Sequence, residues 1–233
     1  MKSTISVITP IYNEKKTLES NILRIREALH NYPHEIIIVD DNSPDGSGQL
    51  ADELSTRYPD VKVLHRPMKM GLGTAYKDGF HLTDGDLIVS IDSDLSHDPS
   101  YLPSLIEQSL EHDIVIGSRL CLGGKIIGRG MTRDLLSIFT NFIIRKLLRR
   151  HIFDWTSGYR VYRRKTWQMV MPQVHCDKWD FQFESLYKAL NMNQTIVEIP
   201  ITFYELADGT SKFTISDAFG FIDSFFRIIL GLK

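Results

Sequence analysis

The order of apolar segments predicts an α/β protein built on a mostly parallel sheet flanked by helices. Three observations carry this expectation. Short runs of branched apolar residues alternate with stretches of helical periodicity through the first half of the chain, the pattern of βαβ units. Acidic or turn-forming motifs follow four of those runs, at the carboxyl strand ends where such sheets bind ligands. Of the 233 residues, 42% are hydrophobic and 24% charged, a balance that excludes disordered, collagen-like and coiled-coil chains.

Taken in order, Ile5 to Ile8 reads as a buried strand, and Thr17 to His30 as a helix with Leu18, Ile22, Ile25 and Leu29 on one stripe. Ile36 to Val39 is the second strand, and a helix from Gly48 to Tyr58 follows it. Val61 to Leu64, Leu87 to Ile91 and Ile114 to Ile116 supply three more strands, separated by helices over Thr74 to Leu82 and Leu102 to His112. Past Gly117 the rhythm changes. Gly123-Gly124 opens a loop, Asp134 to His151 forms a long helix, and a motif-dense stretch runs from Asp154 to Arg164. A helix over Phe181 to Leu190 leads into one strand over Thr195 to Phe203, and a Phe- and Ile-rich helix starts near Ser216. The expected organisation is one domain over residues 1–212 and an amphipathic docking helix over 213–233.

Several function classes fall away. A net charge of −2 gives no global attraction to nucleic acid. Cys121 and Cys176 form no C-x-x-C pair, so a disulfide framework and a zinc site lack support and a reducing compartment fits. Met1 to Thr4 runs into the first strand without the apolar region of a signal peptide, and no run reaches the roughly 20 apolar residues of a membrane span. The expected location is therefore cytoplasmic, soluble or peripheral. Neither G-x-G-x-x-G after the first strand nor a Walker lysine loop is present, which disfavours dinucleotide oxidoreductases and P-loop NTPases. A serine hydrolase lacks its G-x-S-x-G turn.

The motifs at the strand ends carry the chemistry. Thr9-Pro10-Ile11-Tyr12-Asn13-Glu14 by itself reads as a strand-to-helix turn, with Tyr12 a candidate to flank a base. Val39-Asp40-Asp41-Asn42-Ser43-Pro44-Asp45-Gly46 reads equally as a turn cluster or as carboxylates accepting from a base and a ribose. Asp92-Ser93-Asp94 is sharper. Two carboxylates one residue apart repel unless a cation or a donor lies between them, and a hard divalent ion that also bridges two phosphates would relieve that repulsion. Gly117-Ser118-Arg119 is expected to aim a guanidinium fork at the same crevice.

Together these segments resemble the family 2 inverting glycosyltransferases of GT-A fold, a Rossmann-like nucleotide-diphospho-sugar transferase, in the branch that transfers onto polyprenyl phosphates. Gly71-Leu72-Gly73-Thr74-Ala75-Tyr76, Asp92-Ser93-Asp94-Leu95-Ser96-His97, Gly117-Ser118-Arg119, Gly123-Gly124 and Ser157-Gly158-Tyr159-Arg160 extend the likeness over nearly the whole chain. The resemblance implies that Pro10, Tyr12, Glu14, Val39 and Asp41 hold the nucleoside. It implies that Asp92 and Asp94 bind a divalent metal, Mg2+ or Mn2+, with Ser93, Ser96 and Arg119 around the diphosphate. Arg133 and Ser137 match positions that meet the lipid phosphate, and Lys212 matches the lysine of a C-terminal G-x-S-K motif. Leu206 stands where the family usually has an arginine, and Arg160 and Arg163 are the candidates to replace that cation. Asp180 stands where a basic residue is usual before Glu184.

The reaction implied is transfer of mannose from GDP-mannose to a polyprenyl (dolichyl) phosphate with inversion, releasing GDP. Asp94, Arg119, Arg133 and Lys212 are the expected catalytic set. UDP-glucose or another nucleotide sugar is the alternative donor, and a non-catalytic sugar-nucleotide-binding subunit the alternative role. A nucleotidyltransferase lacks its glycine- and lysine-rich N-terminal loop. The lipid acceptor requires contact with the cytosolic face of a membrane, directly or through a membrane-anchored subunit. The helix over Asp134 to His151 suits an anionic bilayer, with a wide apolar face and Arg145, Lys146, Arg149 and Arg150 at its end. A core helix whose terminal cations complement its dipole explains the same pattern.

Overall fold

The computed structural model describes residues 3–128, 130–205 and 224–230. Seven strands form the main sheet: β1 (Ile5–Ile11), β2 (His34–Asp40), β3 (Val61–His65), β4 (Leu87–Ser90), β5 (Ile114–Ser118), β7 (Arg160–Arg163) and β8 (Ile196–Pro200). Their order is β3-β2-β1-β4-β7-β5-β8, parallel except for β7, which runs against both of its neighbours. Two short strands, β6 (Lys125–Ile127) and β9 (Thr202–Tyr204), pair apart from it.

Side chains alternate across a strand, so both faces of these runs must be apolar to be covered. Val7, Ile36, Ile38 and Val89 pack on one face against α1 (Leu18–Ala28), α2 (Ser47–Arg57) and α4 (Leu102–Gln108). Ile8, Ile37, Val39 and Ile88 pack on the other against α3 (Leu72–Phe80), α6 (Arg164–Val170) and α7 (Asp180–Asn191). The chain runs outward from β1 through β2 to β3, then returns to lay β4 on the opposite edge of β1. Loops leaving β1 and β4 therefore diverge, and the crevice between them lies where parallel sheets bind ligands.

Past β5 the structure departs from the sequence-based expectation, beginning with β6, which lies where only a loop was expected. The motif-dense stretch after Asp154 contains β7 and is followed by α6, neither of which was expected. With only four residues and an arginine at each end, β7 has no apolar signature. Its Arg160 is fully buried because the guanidinium donates to the carbonyls of Trp155 and Gln182 and to Ser185 Oγ. The single strand expected over Thr195 to Phe203 is two strands. The chain crosses from β8 to β9 at Ile201, whose N–H donates to Ser118 O and whose carbonyl accepts from Lys125 N.

The long helix, α5 (Met131–Leu148), is not a core helix. Only Asn141 and Ile144 are buried among its described side chains, while Leu135, Phe139 and Leu147 are each more than half exposed. Of the expected 213–233 helix, residues 224–230 are described and helical; Phe225 is buried with its ring 5.1 Å from that of Phe183. Among the described residues no helix is long and apolar enough to cross a membrane.

Candidate active site

The site grows from the carboxyl ends of β1, β2, β4 and β5. At the β1 and β2 ends, Asp41 accepts from Arg66 Nε at 2.6 Å, and both side chains are buried. Arg66 also donates to Gly71 O and to the side chains of Thr74 and Asp78, so one cation ties the β2 end to the start of α3. Burial pushes the Asp41 carboxyl above its ordinary range against the pull of Arg66. Tyr12 is half-buried beneath Lys69, whose Nζ lies 4.5 Å from the ring centroid. Glu14 accepts from Thr17 Oγ1, while its N–H donates to Ser47 Oγ. Val39 has its side chain in the core, which leaves its backbone as the part able to meet a nucleoside.

The β4 end carries the paired acids. Asp94 is exposed, and its Oδ1 accepts from Ser96 N at 3.0 Å across Leu95, whose φ of 63° makes the turn. Ser93 Oγ donates to Pro10 O, joining this loop to the end of β1. Asp92 sits deeper: Tyr76 OH donates to its Oδ1 at 3.3 Å, and His97 Nδ1 lies 3.4 Å from its Oδ2. Burial and the neighbouring Asp94 raise the Asp92 pKa against the opposing influence of His97, while burial lowers that of His97. Ser96 Oγ is buried without a hydrogen-bond partner. Among the described residues no lysine or arginine forms an ion pair with either acid, and no group of three or more Asp, Glu, His or Cys side chains could hold a metal. Two unneutralised carboxylates fit a hard ion that completes its shell with phosphate oxygens, not an all-protein cage.

Arg119 enters the same crevice, but its fork is already engaged. Nε and Nη2 each donate to Asp154 at 2.7 Å, Nη2 also reaches Thr156 Oγ1, and the guanidinium lies over the Phe203 ring. Burial alone would raise the Asp154 pKa, but the charge and hydrogen bonds of Arg119 hold it below the ordinary carboxylate range. Ser137 is on α5, one turn before Asn141, which bonds Ser137 O, Thr156 Oγ1 and Trp155 N. The loop that holds Arg119 is thus fastened to α5. Arg133 belongs to the first turn of α5, but its side chain, like Leu206 and Lys212, lies outside the described residues. The two candidate replacements for the missing arginine are spent elsewhere. Arg160 is sealed among carbonyls, and Arg163 donates to Ser109 O and Leu110 O at the opposite end of the sheet. Asp180 accepts from Ser224 Oγ at 2.6 Å.

Sequence reasoning assigned no role to Arg66, Tyr76, His97 or Asp154. Three of them were within reach: Tyr76 and His97 belong to motifs quoted for the resemblance, and Asp154 opens the motif-dense stretch.

A parallel sheet with a switch point thus gathers a buried acid held by Arg66 and a paired-acid loop at one crevice. Residues 6–169 match the family model described as glycosyl transferase family 2, and the chain belongs to that family. It is 38% identical over 212 residues to the undecaprenyl-phosphate mannosyltransferase of Micrococcus luteus, covering 89% of this chain and 86% of that one. It is 40% identical to the polyprenol monophosphomannose synthase of Mycolicibacterium smegmatis, over 88% of this chain and 79% of that one. The dolichol-phosphate mannosyltransferase of Pyrococcus furiosus is 36% identical over 97% of this chain, which spans 63% of that longer relative. Among solved structures, the glucosyl-3-phosphoglycerate synthase of Mycobacterium tuberculosis, in complex with Mn2+, UDP and glucosyl-3-phosphoglycerate, superposes with a TM-score of 0.75 at 20% identity. That match covers 99% of this chain and 81% of the other, a likeness of fold.

Proposed function

We propose that this chain transfers mannose from GDP-mannose to a polyprenyl phosphate at a membrane surface, with inversion, releasing GDP. The observation that carries the reading is the paired-acid loop at the β1/β4 switch point in a chain 36–40% identical to enzymes named for transfer onto lipid phosphates.

A phosphate oxygen of the acceptor forms the new bond to the anomeric carbon as the bond to the diphosphate breaks. The attacking group needs little base help, since the second pKa of a phosphate monoester is about 6. Asp92 and Asp94 would hold a divalent ion against the diphosphate, and that ion supplies neutralisation of charge developing on the leaving group. Arg119 adds a cation that cannot drift, because Asp154 and Thr156 fix its plane. Asp41, held by Arg66, accepts from the nucleoside. Arg133, Ser137 and Lys212 are assigned to the acceptor phosphate by resemblance.

The acceptor's membrane is met by α5. Leu135, Leu136, Phe139, Phe142, Ile143 and Leu147 are exposed, and Lys146, Arg149 and Arg150 lie at the end of the same face. Inserting three such side chains contributes roughly 1.5–3 kcal/mol each, and the cations add attraction to anionic lipid. This supports peripheral attachment.

The test is transfer of radiolabel from GDP-mannose to dolichyl phosphate in detergent, with Mg2+ or Mn2+, alongside Asp94→Ala and a panel of UDP-sugars. A lipid-extractable product that disappears in the variant is expected. GDP-mannose binding without transfer to any lipid phosphate would refute the catalytic reading, and a product from a UDP-sugar alone would refute the donor.

A further inference from the structure

Buried polar atoms without partners are rare in folded proteins, and each one calls for a cause. Gln182, in the first turn of α7, is 1% exposed, and neither its Nε2 nor its Oε1 has a hydrogen-bond partner. Its neighbours Phe181 and Phe183 are buried apolar residues, and an unbranched apolar side chain of the same length would avoid the desolvation cost of the amide. The amide is nevertheless kept, so its location matters.

That location is beside Asp92. Gly158 separates them: a Cβ built on Gly158 would lie 3.4 Å from Gln182 Nε2 and 3.5 Å from both carboxylate oxygens of Asp92. Because position 158 has no side chain, the amide and the carboxylate flank one point. Asp92 already has a neighbour on each oxygen, Tyr76 OH at 3.3 Å and His97 Nδ1 at 3.4 Å. The helices that bring Tyr76 and Gln182 here are locked together. The Tyr76 and Phe181 rings stack at 6.0 Å, and a Cβ at Gly73 would lie 2.8 Å from Phe181 Cβ. Gln182 Nε2 and the Asp92 carboxylate thus lie within 3.5 Å of one point, and the Nε2 donors are unused.

We propose that Gln182 is a positioning residue for Asp92. When the ion is bound, the unused side-chain amide of Gln182 turns to donate to the carboxylate and, with the Tyr76 hydroxyl, orients Asp92. Loss of such an outer partner typically weakens a metal site about 10- to 100-fold. This proposal rests on the metal role given above to Asp92 and Asp94.

The experiment is a Mn2+ titration of the full chain followed by electron paramagnetic resonance of the free ion, with saturating GDP and, separately, UDP. Wild type is compared with Gln182→Leu, Gln182→Met and Asp94→Asn, and each melting temperature is recorded. Both Gln182 variants are expected to melt at or above wild type, because an orphaned amide has been removed, while binding Mn2+ roughly 10- to 100-fold more weakly. Mn2+ affinity within about twofold of wild type in both variants, with binding lost in Asp94→Asn, would overturn the role of Gln182 and leave the metal site standing. A weakened affinity accompanied by a matching fall in melting temperature would make Gln182 a packing residue and also overturn the proposal. Wild type that leaves Mn2+ free with both nucleotides would overturn the metal reading and this proposal together.

Discussion

Replacing Asp154 by asparagine removes one charge from a carboxylate with no solvent exposure that accepts from Arg119 Nε, Nη2 and backbone N at 2.7, 2.7 and 3.0 Å. The asparagine oxygen can serve one side of the fork; its NH2 then faces guanidinium N–H groups, donor against donor. The Arg119 charge remains buried without its hydrogen-bonded anion. Breaking a buried pair in this way costs about 3–5 kcal/mol, a large share of the 5–15 kcal/mol by which domains are typically stable, roughly. For a chain of this length the corresponding fall in melting temperature is about 6–20 °C. Urea unfolding followed by tryptophan fluorescence reads the change, with Trp155 and Trp167 both buried in the folded chain. The sign with pH follows from the depressed Asp154 pKa. Its contribution is full above the unfolded value of about 3.9 and is lost as pH falls through the folded value. Wild type is therefore expected to lose its advantage over the variant in acid, below pH about 4. A loss under about 1 kcal/mol at neutral pH, or a difference that does not shrink in acid, would refute this account of the pair. Replacing both partners with apolar residues is expected to recover part of the loss.

Two further outcomes follow from the same geometry. Arg66→Gln removes the charged partner of Asp41 and is expected to weaken GDP binding about 10- to 100-fold, the range of one charge-assisted hydrogen bond. With burial then unopposed, Asp41 protonates at higher pH, so binding should fall off sooner on acidification; calorimetry across pH 5–8, roughly, checks both, and unchanged affinity would remove Asp41 from the nucleoside site. Replacing Leu135 and Phe139 together by glutamate is expected to abolish flotation with vesicles containing anionic lipid while leaving the melting temperature unchanged, because both side chains are more than half exposed. Retained flotation would rule out α5 as the membrane contact.

Much of this protein is legible along the chain because its signals are local. Ile36 to Val39 is apolar at every position, and Leu18, Ile22, Ile25 and Leu29 repeat at helical spacing, so strand and helix declare themselves without knowledge of their partners. The paired acids Asp92 and Asp94 are equally local: adjacency along the backbone guarantees adjacency in space. What lies between Phe153 and Pro200 was harder. β7 has arginines where a buried strand normally has apolar residues, and it is stable only because Trp155, Gln182 and Ser185, up to 25 residues away, bring oxygens to Arg160. The kink that splits β8 from β9 likewise depends on Ser118 and Lys125 bonding Ile201.

The sequence alone therefore determined the α/β class, the order of its first five strands, the position of the acidic loops and the glycosyltransferase resemblance. Those features rest on periodicity and on residues close together in the chain. Tertiary structure decided which charges are free to act. Arg119 and Asp154 are 35 residues apart yet share three hydrogen bonds, and Arg160 is walled in while Asp94 is open. It also decided that the apolar face of α5 meets solvent, when its composition suited a core equally well. Whether an ion is paired or a face is covered depends on what the fold brings to it from distant parts of the chain, and a one-dimensional pattern carries no record of that.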